Sequence, residues 1–353
     1  MSYTKKRFAF SYEHNSMAEI PKDRDVNQAH VTIQWKYDRP LLACRFDPLG
    51  RYVIASAEDN SVLRWNLADE KDRVALKAHD SWVRAIEQSL DGQSTVTGGC
   101  DGRLIWWETA AAQPTPIRTL DAHQGWIRSL SVSPDGKLLA SAGNDKTIRI
   151  WNIADGTLVK ELAGHERHVY CVYFSPLKQN VLYSGDLVGV LKEWDVSTGT
   201  VSGEFDANKL HSYNGGQQVD FGGVRAIAIS SDGKYLAAGG LHEASNPLGS
   251  VHDPLDLMFE AESRQLVQSC VGENIKSVIW RQLFLDDKTA MAVSGGTSGG
   301  LLHFWTPDAP KPTFQFQLPN LARDMDLHPD GIQVATTHSD GHLRITRLAA
   351  KAA

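Results

Sequence analysis

Apolar and polar residues alternate in short runs along most of this chain. Val31, Ile33, Trp35 and Tyr37 take turns with polar neighbours, the period-two pattern of a half-buried strand. Further on, Ile127-Arg128-Ser129-Leu130-Ser131-Val132, Leu138-Leu139-Ala140-Ser141-Ala142 and Ile148-Arg149-Ile150-Trp151 form three such runs, followed by Leu158-Val159. Ser133-Pro134-Asp135-Gly136, Asn144-Asp145-Lys146-Thr147 and Asp155-Gly156 punctuate them. Short strands joined by Asp-Gly-type turns predict tight antiparallel hairpins. Helical periodicity is absent. Residues 1–29 are polar and non-periodic and read as an arm; the strand pattern begins at His30.

The phrase repeats. Trp65, Trp107, Trp151 and Trp194 recur every 42–44 residues, and Asp59, Asp101 and Asp145 each stand six positions before their tryptophan. A period of this length belongs to an array of small stacked modules. Seven copies align between residues 30 and 348, with first strands beginning near Leu41, Val83, Ile127, Val169, Val224, Ile275 and Ala322. Trp305 holds the tryptophan place in the sixth copy, Phe259 in the fifth and Thr346 in the seventh. These features resemble the WD-repeat β-propeller family. The resemblance implies an all-β fold over residues 30–353, a seven-bladed propeller of four-stranded antiparallel blades. The last copy has three strands, so His30–Tyr37 is expected to supply its fourth. Pairing this N-terminal strand with the C-terminal blade closes the ring and leaves no raw sheet edge.

Composition narrows the function classes. At 42% apolar and 22% charged residues, the chain can bury a sizeable core. No apolar run reaches the ~18 residues of a membrane span. Lys5, Lys6 and Arg7 precede only Phe8–Phe10 before Glu13 and His14 intervene, too short for a secretory signal. Cys44, Cys100, Cys171 and Cys270 stand singly, so zinc is not expected and a reducing, cytoplasmic setting is. A net charge of −6 and a pI near 6.1 argue against nucleic acid as partner. No metal or cofactor site is expected: His165 and His168 form an isolated HxxH, and the glycines at 295, 296, 299 and 300 lack the strand–helix context of a phosphate loop.

Two copies contain the residue types of a hydrolytic triad: His79, Thr97, Asp101 and Trp107, then His123, Ser141, Asp145 and Trp151. The same set at the same offsets in neighbouring modules speaks for structure, since an enzyme needs one site. By family resemblance each set is a buried hydrogen-bonded tetrad that braces its blade. Copy four offers His165, Ser184 and Trp194 with Val188 at the aspartate place; copy one has Ala55 where Ser or Thr is expected. Copies two and three are therefore expected to be the stiffest part of the ring.

The second residue of each first strand reads Leu42, Arg84, Arg128, Tyr170, Arg225, Lys276 and Arg323, five of seven being cationic. The resemblance places this position at the top mouth of the central channel. Converging guanidinium groups suit carboxylate or phosphate, and family members that read phosphorylated peptides place Arg at such positions. Trp82, Trp126 and His168, two places earlier, add aromatic anchors. The competing reading is generic: Val-Arg or Ile-Arg commonly fills this position in WD repeats, and nearby carboxylates can neutralise the charge. Two insertions lengthen copy five, residues 206–222 and residues 239–253 with His242, Glu243, His252 and Asp253, and the resemblance to WD-type blades implies that both lie on the top face. The expected function is a non-enzymatic scaffold that binds proteins or peptides, acidic or phosphorylated, on its top face. The alternatives are a structural subunit held by its rim and, less favoured, an enzyme on a propeller scaffold.

Overall fold

In the computed structural model, residues 20–243, 252–272, 275–297 and 299–351 are described. Seven four-stranded antiparallel sheets follow one another along the chain, and one two-stranded hairpin lies between the fourth and fifth. Two short 3-10 turns, Val26–Gln28 and Asn208–Leu210, are the only helical elements among the described residues. Each sheet is a blade whose first strand is innermost. These inner strands are Leu41–Phe46, Val83–Gln88, Ile127–Val132, Val169–Phe174, Ala226–Ile229, Val278–Phe284 and Ala322–Leu327. Each touches the inner strand of the next blade, and the seventh touches the first, so the blades form a closed ring. The fifth and sixth inner strands start two and three residues later than the sequence pattern suggests.

The ring shuts as expected. His30–Lys36 pairs antiparallel with His342–Arg347 as the outer strand of blade seven. Trp35 on this strand stacks on Trp65 of blade one, with centroids 6.3 Å apart. Inside, carboxylates of blade seven bind blade one directly: Asp324 accepts from Cys44 N (3.0 Å) and Arg45 Nη1 (2.9 Å), and Asp326 from Phe46 N (2.8 Å). Charge-assisted bonds of this kind, shielded from water, are about twice as strong as neutral ones. Of the arm, residues 20–29 dock on the last blades: Arg24 pairs with Asp286 at 3.2 Å, Arg347 with Asp23 at 2.9 Å, and Val26 and Ala29 pack on the core. The remainder of the arm lies outside the described residues.

Tetrads brace three blades. His79 binds Asp101 through Nδ1 (3.0 Å) and Thr97 through Nε2 (2.8 Å), while Trp107 Nε1 donates to Thr97 (2.9 Å). His123, Asp145, Ser141 and Trp151 repeat this geometry at 2.9, 2.7 and 2.8 Å. Burial alone raises the pKa of Asp101, but the His79 hydrogen bond and charge overcome it and hold the carboxyl down to about 2. The fourth blade corrects the sequence reading. Asp186, not the residue at 188, is the tetrad acid: His165 Nδ1 lies 2.9 Å from it, His165 Nε2 2.7 Å from Ser184, and Trp194 Nε1 donates to Ser184 at 2.7 Å. Asp186 also accepts from Val188 N and Val190 N, which tightens the turn beneath it. Asp186→Ala should therefore destabilise the protein by about 1–3 kcal/mol, as much as Asp145→Ala, because each leaves a buried histidine without its acceptor. Urea unfolding of the two variants checks this; a near-neutral Asp186→Ala contradicts the assignment.

Candidate functional site: the channel mouth

One backbone device sets the mouth. In six blades the pairing of inner and second strands slips at the start of the inner strand, at Leu41/Cys44, Val83/Ala85, Ile127/Ser129, Val169/Cys171, Ile279/Arg281 and Ala322/Asp324. A bulge of this kind leaves one residue unpaired and re-aims its side chain. The bulged residues are Leu42 (with Ala43), Arg84, Arg128, Tyr170, Trp280 and Arg323. In blade five Arg225 holds the matching place, immediately before the strand, with its N–H on Gly239 O at 2.8 Å. All seven side chains line one central cavity.

Lys276 is not among them. It lies before the inner strand of blade six, exposed, with Nζ bonded to Asp253 at 2.7 Å. Trp280 replaces it in the ring, a residue the sequence reading did not single out. Counting back seven places from a turn aspartate supplies the missed signal: Asp91 leads to Arg84, Asp135 to Arg128, Asp232 to Arg225, and Asp287 to Trp280.

The four arginines differ in their company. Arg323 is paired with Glu58 at 2.5 Å, and the backbone of Glu58 is fixed by Trp82 Nε1 on its carbonyl at 2.9 Å. Arg84, Arg128 and Arg225 form no ion pair among the described residues. Instead Arg128 lies 5.1 Å from the Trp126 ring and 4.4 Å from Tyr170, and Arg225 lies 4.8 Å from Tyr170 and 5.1 Å from Trp280. Aromatic faces thus cover the flat sides of two guanidinium groups, while Arg128 Nε is held by Asn144 at 2.7 Å. Burial first, with repulsion from neighbouring arginines (Arg323 in the case of Arg84), depresses all three; Arg128 falls to about 10. His168 is half-buried, and burial followed by the charge of Arg128 lowers its pKa, which keeps the ring neutral. Trp82 and Trp126 stand at the rim of the mouth, 39% and 40% exposed.

Above this ring the channel widens into a funnel of about 480 Å³. Glu58, Trp82, Arg84, Arg225, Trp280 and Arg323 form part of its wall, and the blade-five insertion forms another part through Asp220 and Phe221. Asp220 is occupied by His211 at 2.8 Å. Of the second insertion, His242 and Glu243 pair with each other and His252 lines the funnel; residues 244–251 lie outside the described residues. Below the ring, Arg45 and Arg281 face Asp324 in a throat of about 100 Å³, with Glu87 and Asp326 close to the same groups. That layer sets three carboxylates against two arginines, so it carries no excess of positive charge. The unbalanced positive charge sits at the mouth.

A family model described as "WD domain, G-beta repeat" matches residues 71–108, 114–152 and 156–195, each segment holding one complete tetrad. The chain is a WD-repeat protein. Sequence similarity to its relatives runs over part of each chain. It is 26% identical over 222 residues to "Periodic tryptophan protein 2" of Arabidopsis thaliana, covering 62% of this chain and 23% of that one. It is 28% identical over 157 residues to "Small ribosomal subunit protein RACK1y" of Oryza sativa subsp. japonica, 43% and 46% of the two chains. It is 35% identical over 184 residues to "Polyadenylation factor subunit 2" of Gibberella zeae, 51% and 29%. The WD-repeat chain spans about a quarter to a half of these curated relatives. Among its described residues no helix is long and apolar enough to cross a membrane, and no cluster of metal-ligating side chains occurs.

Proposed function

We propose that this WD-repeat protein is a protein-interaction platform whose channel mouth captures a peptide or loop bearing carboxylate or phosphate groups. One observation carries the reading: Arg84, Arg128 and Arg225 converge on a partly dehydrated mouth without a carboxylate partner among the described residues. Three like charges held together there are costly until an anion arrives, and the backbone holds them ready beforehand, through bulges at Arg84 and Arg128 and through the Arg225 N–H on Gly239. Several relatives are named as subunits of larger assemblies, which supports an adaptor role. The His-Ser/Thr-Asp sets argue against hydrolysis, since each is spent on an indole in the interior of its blade. Affinity capture from native lysate, with and without phosphatase treatment, tests the ligand class. Loss of partners after phosphatase supports phosphate; retention of partners by a chain lacking the three arginines contradicts the reading.

A second reading has an observation of its own. Ile117, Leu158 with Val159, Val201, and Leu266 with Val267 are exposed on the outer strands of four successive blades. An apolar stripe along the rim favours a subunit packed into a complex by its side. Size-exclusion chromatography of native extract separates the two: a free adaptor elutes near 38.9 kDa, a rim-bound subunit in a large particle.

A further inference from the structure

We infer that the mouth reads a pair of adjacent groups, an anion together with a bulky apolar side chain, and that Phe221 of the blade-five hairpin, with Leu187 and Leu241 beside it, supplies the apolar half. This rests on the reading of the mouth as an anion site and specifies its ligand.

The funnel is not uniformly cationic. Leu187, Phe221 and Leu241 line one side of it, and Val278 and the Trp280 indole continue that lane toward Arg225. Phe221 comes from the hairpin His211–Asn214 and Val219–Gly222, which ordinary blades lack. The hairpin is built in place. Leu210 at its base is fully buried in the core shared by blades four and five. Gly223 N donates to Leu210 O at 2.8 Å, and His211 bonds Asp220 across the two strands at 2.8 Å. Gly222 and Gly223 turn the chain back into the blade with φ of +99° and +89°, and a Cβ on Gly222 would lie 2.0 Å from Leu210 O. A side chain at this turn is thus excluded by contact as well as by conformation. The same packing presses Leu241 against the turn, 3.3 Å from where that Cβ would be.

Apolar surface in a solvent-open funnel, beside guanidinium groups with no carboxylate partner among the described residues, is complementary to one kind of guest. The anion takes the in-plane N–H groups of Arg84 and Arg225, and the neighbouring side chain leaves water against Phe221 and Leu187. A funnel of about 480 Å³ lies within the range for specific small-ligand recognition, where apolar walls and a few placed polar groups act together. The occupant proposed is a peptide carrying a phosphorylated residue flanked by leucine-sized side chains.

Fluorescence anisotropy of the full chain tests this with two labelled nonapeptides, each with one central phosphoserine, flanked either by leucines or by glycines. Inorganic tripolyphosphate serves as competitor and reports the cationic half alone. The expected result is a preference of about tenfold or more for the leucine-flanked peptide. Phe221→Ser and, separately, Leu187→Ser should reduce that preference to about threefold or less. Neither should change competition by tripolyphosphate, which also shows that the mouth is still folded. Equal affinity of the wild-type chain for both peptides, or an undiminished preference in both variants, overturns the inference and leaves the anion site standing. Failure of both peptides and of tripolyphosphate to bind overturns the inference and the anion site together.

Discussion

Reversing Arg84, Arg128 and Arg225 to glutamate is expected to lower affinity for an anionic partner by more than about a hundredfold while the ring stays folded. Each charged hydrogen bond is worth about 1.5–3 kcal/mol, and three reversed charges add repulsion to their loss. The fold should tolerate the change because none of the three forms an ion pair among the described residues. What holds the blades lies elsewhere, in the tetrads of blades two to four and in the Asp324 and Asp326 contacts that close the ring. Partner capture together with a thermal melt reads both sides of the expectation. A triple variant that melts like the wild type and has lost its partner supports the account; one that retains it at low salt contradicts it. Low salt matters, because screening weakens exposed charges first.

Asp256→Leu should stabilise the protein, by about 2–4 kcal/mol at pH 7.5. Asp256 lies on the third strand of blade five, fully buried, and neither carboxylate oxygen has a well-formed hydrogen bond among the described residues, the nearby Gln282 amide offering only a weak polar contact. In the other six blades the equivalent residue is Val62, Leu104, Ile148, Leu191, Leu302 or Leu343, all buried. Burial pushes the Asp256 carboxyl up to about 8, with only the Gln282 amide opposing it, so the folded chain holds this proton at neutral pH. The sign follows from linkage. Below pH ~4 the group is protonated whether folded or unfolded and its titration costs nothing. From there to about 8 the unfolded chain ionises and the folded chain does not, so stability falls by up to about 1.4 kcal/mol per pH unit. The advantage of Asp256→Leu over wild type should therefore grow by about 2–3 kcal/mol between pH 5 and pH 7.5. Comparing the two proteins cancels the contribution of His303 and His338, whose pKa values burial lowers to about 3 and about 4 and which act in the opposite sense. Urea unfolding at the two pH values measures it. An advantage that does not change with pH would show that Asp256 is ionised or hydrated in the folded state.

Most of the fold was legible because the repeat carries it. The spacing of Trp65, Trp107, Trp151 and Trp194 reveals the module, and the alternation in His30–Tyr37 supplies the strand that closes the ring. The misreadings arose where a blade keeps its chemistry but shifts a residue along the backbone. In blade four the spacing from Ser184 to Trp194 is the same as in blades two and three, but the tetrad acid stands two places earlier, at Asp186 on the end of the second strand, and a fixed offset from Trp194 could not find it. In blade six the Ile-Lys pair at 275–276 imitates the Val-Arg and Ile-Arg pairs of other copies, yet it precedes the strand. The bulge falls at Trp280 because register is set by the hairpin turn at 285–288, not by the resemblance of two residues. The funnel was beyond a linear reading altogether. Phe221 and Arg225 are close in sequence, but Arg84, Trp280 and Arg323 meet them only because the ring closes.

Calorimetric titration with inorganic tripolyphosphate decides whether the mouth is an anion site set by the starts of the inner strands. The wild-type chain and a Lys276→Glu variant should bind it with nearly equal affinity, and the Arg84, Arg128 and Arg225 triple reversal should show no measurable heat. Absence of binding by the wild type, or a loss on changing Lys276 as large as that on changing the three arginines, would contradict the account.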